Sequence, residues 1–479
     1  MNKTILFAIT LVVLNSACTG VLDPDSDDFI VAGHIENTTS DKVQVFIGDD
    51  EWESAAMGED GKFNLHFDFD GPAYFTVTDG RVGYKVFMSP GDSIHVSGDA
   101  ENFEETAEVT GDNTEEINYI RQKAQLEKET GLHNIMQLMS REATEYLAAK
   151  DSALKVIRTH YEELADKEDI HPDFLAAENA YFTYSSLLLD RMYPMYHGYV
   201  TRKDPETVAP PRKSVEDEIA MLPKTNKTLL LCEPFVELIE FEIMRLSESI
   251  LKSDTTVEPT LETYADISWR ATDSLLPEPD IRDFFLFQRL RDEMDAKGAW
   301  KVEDRLARFR EMNDNEEYER RLKKIEEKWD PLKPGSDVPD FTFADIDGEP
   351  VQLSDFRGQL VYIDIWATWC GPCIQEHPHW DNLKADYSDQ PVAFLTVSVD
   401  NSPEPWVKMV ADKGMDGNQL YVENAWKSDI AKHFLVNSIP RFILLDTEGK
   451  VIDPAAERPS GNIRETLNKH LSEGLSASR

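Results

Sequence analysis

The fold of this chain is decided in the stretch Leu360-Val361-Tyr362-Ile363-Asp364-Ile365-Trp366-Ala367-Thr368-Trp369-Cys370-Gly371-Pro372-Cys373. Residues 360–367 are apolar apart from Asp364, which predicts a buried strand. Residues 374–387 carry a helical pattern, so Cys370 falls at a strand-to-helix junction, at or near the helix N-terminus. Unpaired amide hydrogens and the helix dipole favour a thiolate there. The thiolate is the species that attacks a disulfide. Cys373 lies one helical turn on, within bonding reach, where it can resolve a mixed disulfide formed at Cys370. A bare Cys-x-x-Cys also occurs in zinc sites, but these need about four ligands. The other cysteines are only Cys18 and Cys232. No metal site is therefore expected. Redox chemistry is the leading reading, and a static structural disulfide is the alternative.

The run Trp366-Ala367-Thr368-Trp369-Cys370-Gly371-Pro372-Cys373, with Ser438-Ile439-Pro440 downstream, resembles the thioredoxin superfamily, specifically its TlpA/ResA-like envelope branch. Pro339-Asp340-Phe341 and Leu353-Ser354-Asp355-Phe356-Arg357-Gly358 resemble the entry segment of redoxin-like members. The resemblance covers residues 339–471 and implies an α/β thioredoxin fold. The long interval from Cys373 to Pro440 leaves room for the extra strand–helix insert of this branch, within 401–421. Pro440 is then implied as a cis-proline facing the cysteines, and Ile439 as a backbone partner for an extended substrate segment. Trp369 is implied as a further substrate contact. Asp364 matches a buried acid beneath the cysteines, whose carboxyl would take the proton of Cys373. A satisfied strand polar group is its bland alternative. Glu376 matches an acid kept after the second cysteine, against the alternative of a surface glutamate. His377 and His379 match no catalytic position.

Working outward, residues 335–475 read as the thioredoxin-like domain and 331–335 as a linker. Residues 113–330 read as mostly α-helical. Ile135, Leu138 and Met139 share a helix face, as do Phe235, Leu238, Ile239 and Leu246, and Leu322, Ile325 and Trp329. Asn113 and Glu116 have the spacing of a capping box. Pro210-Pro211 and Pro277-Glu278-Pro279 mark breaks. The aromatic stripe 181–199 reads as core, and Cys232 as a buried inert thiol. Residues 28–112 alternate with period two. Phe63, Leu65, Phe67 and Phe69 form one face, and Gly61, Gly71, Gly80 and Gly91 sit in turn signals. A small antiparallel sandwich or barrel is predicted, and the lone His34, His66 and His95 carry no function.

The first residues read as an address. Lys3, the apolar run 5–14 and Ala17-Cys18 resemble a bacterial lipoprotein signal over 1–17, with Cys18 as the lipidated residue, although Asn15 stands where the motif prefers leucine. The resemblance implies export to the periplasm, a lipid anchor at Cys18, and sorting to the outer membrane. The run is short of the roughly 20 residues that span a bilayer.

The 479 residues suggest about three domains. Hydrophobic residues at 41% and charged residues at 29% exclude wholesale disorder, collagen and a polytopic membrane protein. The net charge of −42 repels phosphate backbones and excludes a general nucleic-acid binder.

Gly371-Pro372 is the thioredoxin dipeptide. Thioredoxin and DsbA differ by about 150 mV, roughly 7 kcal/mol for two electrons, and the thioredoxin end is the reducing one. The expected function is thus an envelope thiol-disulfide oxidoreductase that reduces protein disulfides, with no cofactor beyond the Cys370–Cys373 pair. Its expected partners are client proteins with disulfides or thiols and an unidentified membrane electron donor. Two rivals stand beside it: a binding lipoprotein that uses this domain as a docking platform, and a thiol peroxidase. The peroxidase rival lacks the Pro and the Thr or Ser that peroxiredoxins place ahead of their cysteine, since Ile363 and Ala367 stand there.

Overall fold

The computed structural model describes residues 28–48, 50–254, 256 and 260–477. The expected signal 1–17 and Cys18 lie outside the described residues. The chain forms two compact units, Met1–Arg282 and Asp283–Arg479.

The first unit begins with two four-stranded sheets. Strands β1 (Phe29–Glu36), β4 (Lys62–Phe67), β7 (Ser93–Asp99) and β8 (Glu108–Gly111) form one, in the order β4-β1-β7-β8. Strands β2 (Lys42–Ile47), β3 (Asp50–Ala56), β5 (Ala73–Thr78) and β6 (Gly83–Met88) form the other, in the order β3-β2-β5-β6. Side chains from both sheets share one core that includes Phe29, Val45, Leu65, Phe75, Val86 and Val96, so the sheets stack as a sandwich. Gly61, Gly71, Gly80 and Gly91 all take positive φ, as their turns require. The pairing is not wholly antiparallel, because β1 and β7 run parallel. Alternation reveals which face is buried, not which strand lies alongside.

Helices Thr114–Thr130, Ala143–Ala165 and Pro172–Thr201 come next. Phe87 of β6 packs with Tyr119, Leu164 and Phe174, so the sandwich and these helices are joined through an apolar contact. The capping box does not form. Asn113 takes a left-handed conformation with φ of 51°, and its amide binds Asp92 and the Phe87 carbonyl. Glu116 instead accepts the His171 N–H at 2.8 Å. Cys232 is buried, and burial pushes its thiol up to about 12, which makes it inert.

The second unit holds a seven-stranded sheet. Its strands are β9 (Thr342–Ala344), β10 (Pro350–Gln352), β11 (Leu360–Trp366), β12 (Val392–Ser398), β13 (Asn418–Tyr421), β14 (Arg441–Leu445) and β15 (Val451–Asp453), in the order β10-β9-β13-β12-β11-β14-β15. β11, β12 and β13 run parallel, while β14 pairs antiparallel to β11. Every residue of β11, β12 and β14 is buried, as expected of strands covered on both faces. Helix Gly371–Asp386 places Trp380 and Leu383 against Tyr362, Phe442 and Leu444, and Leu467 of helix Ile463–Ala477 joins them. The region 401–421 supplies helix Pro403–Lys413 and β13.

The helical region is shared between the two units, whose division falls before Asp283 rather than at 331–335. Lys301 binds Asp453 at 2.6 Å and the Ala455 carbonyl at 2.7 Å. The Arg441 guanidinium lies 5.9 Å from the Trp329 ring. The expected linker 331–335 is also tied down, with the Gly335 N–H on the Val451 carbonyl at 2.7 Å. Among the described residues no helix is long and apolar enough to cross a membrane.

Candidate redox site

β11 delivers the chain to the site, and a hydrogen-bonded turn sets the path from its end to the cysteines. The Val399 N–H bonds the Trp366 carbonyl at 2.9 Å, which aligns the ends of β11 and β12. Just beyond β12, buried Asp400 accepts the Thr368 N–H at 3.1 Å and the Thr368 hydroxyl at 2.7 Å. The Ser398 hydroxyl also donates to it, at 2.7 Å. With Thr368 clamped, the Cys370 N–H reaches the Ala367 carbonyl at 3.0 Å and the helix starts. Cys370 is the N-cap of Gly371–Asp386, and its sulfur accepts the Cys373 N–H at 3.1 Å. Pro372 sits in the first helical turn, where its missing N–H costs nothing.

Cys370 and Cys373 are joined as a disulfide and both are buried. They share an apolar cluster with Trp366, Trp406, Val410 and Tyr421, and Ile439 packs against its edge. The Ile439–Pro440 bond is cis. Trp369, beside Cys370, is 58% exposed. Its ring lies 6.2 Å from that of Trp426, which comes after Asn424 and Ala425, both held at positive φ. A left-handed alanine is a strained residue, retained only where its surroundings enforce it.

Asp364 lies mid-strand in β11, opposite Thr396 and Phe442, and is 1% exposed. Among the described residues its Oδ1 has no hydrogen-bond partner. Burial, reinforced by the Glu376 charge, holds its carboxyl well above the usual carboxylate range. Glu376 is buried rather than a surface glutamate, and it accepts the Ser460 hydroxyl at 2.8 Å and the Ser460 N–H at 3.1 Å. Tyr362 stands two residues before Asp364 on the strand. Its phenol is pushed up by burial and by the charges of Asp364 and Glu376. His377 packs edge-on to Trp366 at 4.8 Å, and burial pulls its imidazole down. His379 is exposed.

The structure therefore gathers Cys370, Cys373 and Ile439 into one cluster and sets Asp364 within electrostatic reach of Glu376. Sequence reasoning missed Asp400, Ser460 and Trp426. Asp400 had a signal, an acid at the end of an apolar strand. Ser460 had none, being 84 residues from its partner. Among the described residues no group of three His, Cys, Asp or Glu side chains is gathered to hold a metal ion.

A cysteine pair at the start of the helix that follows a central buried strand is the arrangement of the thioredoxin-like fold. The chain is a thiol-disulfide oxidoreductase of that fold. Residues 333–469 match the Redoxin family. Over 143 residues the chain is 28% identical to the thiol-disulfide oxidoreductase ResA of Bacillus thuringiensis subsp. konkukian, covering 30% of this chain and 81% of that protein. ResA of Geobacillus thermodenitrificans is 32% identical over 117 residues, covering 24% of this chain and 66% of that one. Among solved structures, the thioredoxin domain of a thiol-disulfide oxidoreductase from Bacteroides vulgatus is 28% identical, with a TM-score of 0.27, covering 29% of this chain and 99% of that domain.

Proposed function

We propose that the chain is a TlpA/ResA-like envelope lipoprotein that reduces protein disulfides through Cys370 and Cys373. The observation that carries this is the Cys370–Cys373 disulfide at the tip of helix Gly371–Asp386, with Ile439 against it and Trp369 exposed beside it.

In the reduced state the helix N-terminus favours the Cys370 thiolate. That thiolate attacks one sulfur of a client disulfide. The client S–S bond breaks, its distal sulfur leaves as a thiolate and takes a proton, and a mixed disulfide remains on Cys370. Cys373 then yields its proton to the Asp364 carboxylate and attacks the Cys370 sulfur. The second client thiolate departs, the client has gained two electrons, and the Cys370–Cys373 disulfide is restored. Asp364 suits this role because burial and the Glu376 charge give it a high proton affinity. Ile439 and Pro440 line the approach for an extended client segment, and Trp369 supplies an apolar contact. Glu376 acts through Asp364.

The signal at 1–17 and a lipid on Cys18 would hold the chain at the outer membrane, facing the periplasm. There the pair is recharged by a membrane electron donor, and no further cofactor takes part. Insulin reduction with dithiothreitol as donor tests the proposal. Cys370→Ser is expected to lower the rate by roughly 10³-fold or more, as for loss of an attacking group, while Cys232→Ser leaves it unchanged. Cys373→Ala is expected to trap the client as a mixed disulfide. A wild-type chain that reduces nothing with any dithiol would overturn the reading in favour of a docking platform.

A further inference from the structure

We propose that Ser460 is a positioning residue for disulfide exchange: its hydroxyl and amide fix the Glu376 carboxylate and so govern how readily the buried Asp364 takes the Cys373 proton. The proposal rests on the reading that Cys373 resolves the mixed disulfide.

The geometry is specific. Ser460 lies in the segment between β15 and helix Ile463–Ala477, far from the cysteines in sequence. Two more hydrogen bonds fasten this segment over the face of the sheet that holds Asp364. The Ala456 N–H bonds the Phe442 carbonyl at 2.8 Å, and the Tyr362 hydroxyl donates to the Glu457 carbonyl at 2.5 Å. A third tie comes from the helical side, where Lys301 binds the Ala455 carbonyl. The segment therefore holds Tyr362 and Glu376 together. It grips Tyr362 through Glu457 and Glu376 through Ser460. With one oxygen on the Ser460 hydroxyl and the other on its N–H, the Glu376 carboxylate has little freedom to rotate away.

The position of that charge matters because it acts on Asp364 with the same sign. Asp364 is flanked by Thr396 and Phe442 on the neighbouring strands, both uncharged. Tyr362 is the phenol beside both acids, and Asp453 and Glu457 bring further negative charge towards it. A Glu376 carboxylate fixed in this apolar setting repels ionisation of Asp364. Release of Glu376 weakens that repulsion, so Asp364 sheds its proton at lower pH and resolution by Cys373 begins at lower pH.

The test uses the full chain with Cys18→Ser, which leaves the paired thiols and the buried Cys232. The reduced protein is mixed with 5,5′-dithiobis(2-nitrobenzoate) from pH 5 to 9. The first thionitrobenzoate released reports attack by Cys370, and the second reports resolution by Cys373. Ser460→Ala is expected to move the acid limb of the second release about 0.5–1 pH unit lower, the scale of one altered charge–charge contact, with the first release unmoved. Glu376→Gln should move it at least as far, and Ser460→Thr, which keeps a hydroxyl, should restore the wild-type limb. Superimposable limbs for Ser460→Ala and wild type overturn the role of Ser460 alone, as does an equal shift in Ser460→Thr. A wild-type chain that never releases the second thionitrobenzoate overturns the exchange reading beneath it.

Discussion

The helices of the first unit and the sheet of the second both bury charge, and they treat it in opposite ways. Among the helices, Lys150 and Asp190 are 1% and 0% exposed, and their charges meet at 2.6 Å. The Tyr146 hydroxyl donates to the same Asp190 oxygen at 3.1 Å, and Arg212 binds the other at 2.6 Å. Lys150 also reaches the Ser186 hydroxyl at 2.9 Å. Glu178 is satisfied in the same manner, by Lys123 at 2.7 Å and the hydroxyls of Tyr119 and Tyr74. In the redox domain Asp364 Oδ1 finds no partner among the described residues, and the charge acting on it, on Glu376, has its own sign. A buried charge that is fully answered makes each of its partners costly to remove. One that is unanswered and faces a like charge stores proton affinity, which is what an acid–base group needs. Cys232 and Cys370 repeat the contrast. The first is a thiol that burial keeps protonated, and the second is a sulfur at a helix tip.

The largest expected effect lies in the answered network. Lys150→Met removes one partner and leaves Asp190 short of a donor, which should destabilise the first unit by about 3–5 kcal/mol. Amide hydrogen exchange in helices Ala143–Ala165 and Pro172–Thr201 would report it. A loss below about 1 kcal/mol would mean that the network contributes no more than a surface pair, and the contrast would fail.

Asp364→Asn should act with the opposite sign and a smaller size, stabilising the second unit at pH 8, because burial and the Glu376 charge make an ionised carboxylate unfavourable there. An unfolded aspartate ionises near pH 3.9, and the folded Asp364 ionises well above that. Below both values the proton is bound in both states and costs nothing. As pH rises between them the unfolded state sheds its proton first, so wild-type stability falls. The advantage of Asp364→Asn should therefore be absent in acid and grow upward from about pH 4. His377 responds the other way, because its lowered imidazole loses stability as pH falls. Comparing the variant with wild type at each pH cancels that contribution. Urea midpoints at pH 4, 6 and 8 would check the trend, and a constant difference would sink it.

What the sequence made legible was local. A strand run, a Cys-x-x-Cys and a helix pattern are contiguous, so propensity, periodicity and the helix terminus all act within 360–387. Asp364 stood out because a carboxylate interrupts an apolar strand. The missed features are long-range or compete with local rules. Ser460 meets Glu376, and Thr368 meets Asp400, only after the chain has crossed the sheet. The Asn113–Glu116 spacing was a sound local signal, yet Asp92 and His171 captured both side chains. The helices beyond Asp283 carried no mark tying them to the C-terminal sheet. Lys301 on Asp453 is a tertiary contact that no periodicity encodes.

The smallest expected effect divides two aspartates of one domain. Asp400 is 3% exposed, nearly as buried as Asp364, but it is answered by the Thr368 hydroxyl, the Thr368 N–H and the Ser398 hydroxyl. Thr368→Val keeps the shape and β-branching of the side chain and removes only the hydroxyl. Asp400 then retains two donors, so the expected loss is about 1.5–3 kcal/mol, that of one hydrogen bond to a charged group. For a unit of this size that is a fall in melting temperature of about 3–12 °C. Removing a polar group should thus destabilise at Asp400 and stabilise at Asp364, although Asp364 lies on β11 and Asp400 just past the end of its neighbour β12. Thermal unfolding of Thr368→Val and Asp364→Asn at pH 8, read side by side, decides it. Shifts of the same sign would show that burial alone, and not whether a carboxylate is answered, governs these two sites.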